Sequence, residues 1–374
     1  MHLVWNNLRA VYQLNDQSRL KHVIRTFKPA CRILLACIFL FSSDVFSVEE
    51  KNLILDARSI PIPAGASEEL QKSLRNTERN PFRGHKVPSN EHEWKAAVEL
   101  AKQLRTPVIS ASREKFPGKI EHDDIAGVSV YRITPDKVSP ENENRLFIYL
   151  HGGAYVLGGG ETGIGEAMLI ATSVSVPVLA IDYRMPPAHP YPAAVNDVVS
   201  VYKILLKSRS PQSLAIGGTS AGGGLALAAV HQFKALGLEV PAMIYAGTPW
   251  ADLTKTGDTL YTNKGLDRVL SGYDGFLAEA AKLYAAGNDL KDPLISPIYG
   301  DFHEFPPTIL FSGTRDLFLS DVVRTHRKLR ASGAIADLHV FEGISHAGYI
   351  APMTSPESID AFGELRKFFS RHVK

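Results

Sequence analysis

The sequence predicts an α/β fold: a mostly parallel central sheet flanked by helices, with a helical cap. Three observations carry that expectation. A serine, Ser220, stands between an apolar run and a helix-forming one. A second strand-like run, at 145–150, ends in His151-Gly152-Gly153. Two later apolar runs each open into a loop bearing a titratable residue, Asp316 in one and His346 in the other. Short apolar runs closed by glycine-rich loops and separated by helical stretches are the pattern of strands buried on both faces.

Residues 214–216 (Leu, Ala, Ile) read as a strand and 225–230 as a buried helix, so Gly218-Thr219-Ser220-Ala221-Gly222 falls at the strand-to-helix turn. This is the G-x-S-x-G pattern of a nucleophile elbow, whose sharp turn lifts the serine hydroxyl clear of the backbone. Glycines two before and two after Ser220 let the chain make that turn. Such a short pattern recurs by chance, and many serines in it are turn residues or helix caps. The setting between strand and helix is what favours a nucleophile.

The run His151-Gly152-Gly153-Ala154-Tyr155 has the form of a loop that supplies backbone donors to an oxyanion. Acyl transfer places negative charge on a carbonyl oxygen, and removing one fixed donor there costs about 3 kcal/mol. Candidate donors are the N–H groups of Gly152, Gly153 and Ala221, and the two glycines leave room for close approach. The plainer alternatives are a glycine-rich turn or a phosphate loop, prompted by Gly158-Gly159-Gly160. No G-K-[ST] or G-x-G-x-x-G frame opens a helix there, which argues against a nucleotide site.

A hydrolase of this architecture carries its acid and then its base after the serine. Residues 307–311 read as a strand, and Ser312-Gly313-Thr314-Arg315-Asp316 follows, which places Asp316 on a loop as the candidate acid. Residues 338–341 read as the next strand, and the loop behind it brings His346 as the candidate base. Of thirteen histidines, His339 lies in a strand pattern and His326 in a charged helical stretch; only His346 combines loop and order. Asp321 stands a turn into the following helix, while Asp292 and Asp252 precede the relevant strand.

Together these motifs resemble the hormone-sensitive-lipase-like α/β-hydrolases, in the variety whose elbow reads G-T-S-A-G. Asp182-Tyr183-Arg184, the stretch from His189 to Ala194, and Asp292-Pro293-Leu294-Ile295-Ser296-Pro297 fit the same family, over roughly residues 55–374. Ala154 stands where the family usually has glycine, and Pro186-Pro187-Ala188 replaces a segment that normally carries a glutamate; neither touches the triad. The resemblance implies a carboxylesterase acting on short to medium acyl esters, with small lactones as a further class. It implies Ser220 as nucleophile, His346 as base, Asp316 as orienting acid, and no metal or organic cofactor. Amide or carbamate hydrolysis by the same triad and a non-catalytic binding relative are the alternatives, the second disfavoured because Ser220, Asp316 and His346 are all present. Tyr155 and Trp250, each just past a strand end, are candidate pocket residues, with plain packing the competing role. Members of the family are frequently dimers, which leaves a homodimer open.

Length and composition agree with an enzyme of this kind. With 374 residues, 45% of them apolar, the chain can bury a large core as one compact unit. The formal charge is +2, of which residues 1–47 hold +4, so the remainder is near balance and offers no basic face to nucleic acid. Arg19, Lys21, Arg25, Lys28 and Arg32 precede the apolar run 33–41, and Ser47 supplies a small residue for cleavage. Residues 1–47 therefore read as an export signal, to the periplasm or beyond, with an uncleaved membrane anchor as the alternative. The run is short for a span, which takes about 20 apolar residues. Both cysteines, Cys31 and Cys37, lie within residues 1–47, so a chain cut after Ser47 has no disulfide. Residues 48–115 read as cap helices, with Ser67 capping one of them. The catalytic domain then spans 116–374, with a second cap piece inserted at about 255–290.

Overall fold

In the computed structural model the chain divides into two units, Met1–Ile60 and Pro61–Lys374. The described residues are 57, 59–75 and 86–374, and the fold is that of the second unit. The expected export segment, 1–47, lies outside the described residues. Among the described residues no helix is long and apolar enough to cross a membrane.

Eight strands form one sheet in the order β1-β2-β4-β3-β5-β6-β7-β8. An antiparallel hairpin leads, β1 (Gly118–Ile125) and β2 (Val128–Pro135), joined by Ala126 and Gly127 at φ 56° and 78°. Two residues of positive φ match the right-handed twist of the strands they join. The parallel strands follow: β3 (Leu146–Leu150), β4 (Val178–Ile181), β5 (Leu214–Thr219), β6 (Met243–Gly247), β7 (Thr308–Gly313) and β8 (Ala336–Phe341). Every residue of β3 to β7 is buried, as their unbroken apolar runs require of strands covered on both faces.

Helices α1 (Glu68–Arg75) and α2 (Glu91–Glu114) precede the sheet; α3 (Gly165–Val174), α4 (Ala193–Leu205) and α5 (Ala221–Ala235) cross between strands. Between β6 and β7 lie α6 (Thr259–Thr262) and α7 (Phe276–Ala285), and α8 (Leu319–Ala331) and α9 (Pro356–His372) complete the chain. Alternation along each strand divides the core in two. Ile148, Ile216, Ile244 and Leu310 pack with α4 and α5, whereas Phe147, Ala215, Met243 and Phe311 pack with α3 and α9.

Local chemistry fixes the helix starts. Ser67 caps α1 by accepting the Leu70 N–H at 3.1 Å, and gives its own N–H and O–H to Glu357 at the start of α9. Asn90 accepts the Glu93 N–H at 3.0 Å at the start of α2. On α2, Trp94 meets Phe276 of α7 with ring centroids 5.4 Å apart, so the two segments expected to form a cap touch each other.

Candidate active site

The strand order brings the carboxyl ends of β3, β5, β6 and β7 to one edge, where an open α/β sheet places its ligands. Ser220 stands there between β5 and α5 with φ 62° and ψ −123°, a left-handed conformation that costs a non-glycine residue about 1–3 kcal/mol. Its backbone is pinned on both sides. The Ser220 N–H donates to the Gly247 carbonyl at 2.8 Å, and its own carbonyl accepts from Gly224 and Trp250 at 3.0 Å each. The side-chain hydroxyl makes no hydrogen bond among the described residues.

Gly152 lies directly against this turn. A Cβ at Gly152 would stand 2.8 Å from the Thr219 carbonyl oxygen and 3.3 Å from Ser220 Cβ, so only glycine lets the loop approach the serine. Gly153 takes φ +131° and its carbonyl accepts from Val156 and Leu157. Among the described residues neither the Gly152 nor the Gly153 N–H has an acceptor in the chain. Ala221 opens α5, where the first N–H groups have no intrahelical partner. Ala154 adopts φ 56°, the left-handed conformation that glycine tolerates best.

His151 supports the loop. Its ring stacks on Tyr183 at 4.2 Å and 6°, Tyr183 donates its hydroxyl to the His151 carbonyl at 2.6 Å, and burial pushes the imidazole below its ordinary pKa. Beside it Arg184 grips Asp197 at 2.7 Å.

Asp316 and His346 meet. His346 Nδ1 lies 3.0 Å from Asp316 Oδ1, and both side chains are buried. A carboxylate only accepts, so Nδ1 carries the proton, and Nε2, 3.5 Å from the Thr248 hydroxyl, is the accepting nitrogen of the ring. Asp316 is held in turn by the Phe318 N–H at 2.9 Å and the Ser312 hydroxyl at 2.7 Å. Thr248, at the end of β6, places its hydroxyl 2.8 Å from the same Nδ1.

The candidate pocket residues Tyr155 and Trp250 are both buried, at 1% and 0% exposure. Tyr155 stacks on Tyr284 at 4.1 Å and Trp250 on Phe318 at 5.4 Å. The Trp250 backbone nevertheless serves the elbow through its N–H.

A second carboxyl sits beneath the elbow. Glu166 on α3 accepts from Thr219 at 2.6 Å, Tyr245 at 2.8 Å and Tyr149 at 3.0 Å, with Tyr349 3.2 Å from Thr219. Burial raises its pKa despite those donors. A folded value above the unfolded one contributes stability that is full below about pH 4.5 and is lost as pH rises through the folded value. Glu166→Gln cannot ionise, so its melting temperature is expected to gain on that of the parent between pH 5 and pH 8. Parallel melting curves for the two proteins would show no such divergence if the carboxyl stayed ionised throughout.

Comparison with known proteins agrees with this fold. The profile of the alpha/beta hydrolase fold family matches residues 147–350. An acetyl-hydrolase of Streptomyces hygroscopicus is 36% identical over 52% of this chain, a match that spans 65% of the relative's own length. The crystal structure of an esterase, E25, is 48% identical and superposes with a TM-score of 0.82, covering 86% of this chain and 99% of that one. An esterase of the bacterial hormone-sensitive lipase family superposes with a TM-score of 0.67 at 28% identity, covering 77% of this chain and 100% of that one. The chain belongs to the α/β-hydrolase fold family, among its hormone-sensitive-lipase-like carboxylesterases.

Proposed function

We propose that this protein hydrolyses carboxylic esters of short to medium acyl length through an acyl-enzyme formed on Ser220. The observation that carries the reading is the joint placement at one sheet edge of three parts. These are a strained serine whose hydroxyl makes no hydrogen bond among the described residues, a glycine loop against its Cβ, and an Asp316–His346 pair with Nε2 left as base.

His346 Nε2 takes the hydroxyl proton as Ser220 Oγ bonds to the ester carbonyl carbon. The carbonyl electron pair moves onto oxygen, where the N–H groups of Gly152, Gly153 and Ala221 hold the charge. Asp316 keeps the imidazole in the productive tautomer and stabilises the imidazolium. The carbonyl re-forms, the alcohol leaves with the proton from His346, and water activated by the same nitrogen releases the acid. Helices α2 and α7, in contact through Trp94 and Phe276, form the cap that screens this edge from water. The charged and apolar pattern of residues 1–47 supports export.

The test is hydrolysis of p-nitrophenyl esters of rising acyl length by the full chain, with Ser220→Ala as blank. Turnover is expected to peak at chains of about two to eight carbons and to fall at least about tenfold for long chains, as a confined pocket limits acyl length. Folded protein that is silent across the series would overturn the esterase reading, and a maximum at long chains would overturn its acyl range.

A further inference from the structure

Among the described residues one buried carboxylate touches both catalytic loops and has no part in the chemistry above. Asp267 lies between α6 and α7, in a segment where neither spacing nor motif marks it, and it is 1% exposed. Its Oδ2 accepts the N–H of Leu317, the residue after Asp316, at 2.8 Å. The same oxygen accepts the N–H of His346 at 3.2 Å. Its Oδ1 accepts the N–H groups of Val269 at 2.8 Å and Leu270 at 3.0 Å, which fixes the carboxylate within its own turn. The neighbouring Arg268 N–H donates to Ser345 at 3.2 Å, a second tie to the base loop.

We propose that Asp267 is a positioning residue that sets the register between Asp316 and His346, and adds a second negative charge that favours the imidazolium; the role rests on the esterase reading above. One oxygen bonded to both loops fixes their separation, because neither amide can move without losing its acceptor. Hydrogen bonds from amides to a carboxylate are about twice as strong as neutral ones, which suits a joint that must hold two loops from different strands. The segment that carries Asp267 connects β6 to α7, so the same bonds couple the triad to the cap region. Burial together with Asp316 raises the Asp267 pKa while His346 lowers it, Asp316 and His346 being the titratable groups that face it among the described residues. Arg268 sends its guanidinium away, to the Ser73 carbonyl.

Asp267→Asn is the direct test. An asparagine has one accepting oxygen, so its NH2 group must face either the Leu317 and His346 donors or the Val269 and Leu270 donors. We expect kcat to fall about 10- to 100-fold with KM within about twofold, since misplacement of a catalytic group costs about that much. Loss of a nearby negative charge makes protonation of His346 harder, so the acid limb of kcat/KM is expected to move to lower pH by about one unit. A purely structural role leaves that limb in place.

Unchanged kcat, or reduced kcat with an unmoved limb, overturns the inference. If Asp267→Asn does not melt cooperatively, Asp267→Glu serves, because it keeps the charge but not the bond lengths. Reduced kcat with a retained limb supports the proposal there, and parent-like kcat overturns it. Ser220→Ala beside the parent separates the two readings: a parent no faster than this blank has lost the esterase reading itself, whereas an active parent with an equally active Asp267→Asn has lost only this one.

Discussion

Ser220→Ala is expected to lower kcat for a p-nitrophenyl ester by about 10⁵- to 10⁶-fold, as loss of a triad nucleophile does, while the fold persists. The elbow does not depend on the hydroxyl. Its φ of 62° is enforced by the bonds to Gly247, Gly224 and Trp250, all made by backbone atoms. The hydroxyl itself satisfies no partner among the described residues, so its removal leaves no buried group orphaned. Melting temperature is therefore expected to change by no more than about 2 °C. Intact-mass measurement after treatment with a dialkyl p-nitrophenyl phosphate should show one adduct on the parent and none on the variant. A variant that turned over at the parent rate, or still took the adduct, would place the nucleophile elsewhere.

The second large effect is on stability. Gly222→Ala places a methyl group inside the first turn of α5, where alanine is intrinsically favoured over glycine by about 1 kcal/mol. The local environment reverses that preference. The new Cβ would stand 1.9 Å from the Leu150 carbonyl oxygen and 2.8 Å from that of His151, both backbone atoms in the sheet and its oxyanion loop. No flexible side chain can yield, so the elbow helix must part from β3, and a loss above about 4 kcal/mol is expected. Gly363→Ala in α9 is the matched control, for nothing lies within 4 Å of its added Cβ. That substitution should raise stability by about 0.5–1 kcal/mol. Urea denaturation of both variants checks the pair, and a Gly222→Ala protein as stable as its parent would refute the packing argument.

The residues that sequence alone singled out share a setting. Ser220, Asp316 and His346 each follow a strand whose run of apolar residues is visible without a structure, and the parallel direction of those strands puts all three loops at one edge of the sheet. The β1–β2 hairpin was less visible because β1 (Gly118–Ile125) is polar on both faces and only Ile125 is buried, so it shows no alternation. Thr248, Glu166 and Asp267 were invisible for another reason. Each acts through a single hydrogen-bonding group set by tertiary contact, and a lone threonine, glutamate or aspartate leaves no periodic trace. A threonine closing β6 at the catalytic edge was the one signal within reach, by the same logic that chose Asp316. Tyr155 and Trp250 each follow a strand end, as their position in the sequence suggests, and their rings lie 5.9 Å apart.

Strand β8 has consequences for how the enzyme comes into being. It pairs with β7 alone, at the open edge of the sheet, and His346 hangs from the loop behind it. A nascent chain that has already formed β5 with its serine and β7 with its acid has no base at all. On the proposed mechanism, chemistry requires that this outermost strand join its neighbour and the loop behind it close, so a chain lacking that strand is expected to leave esters untouched.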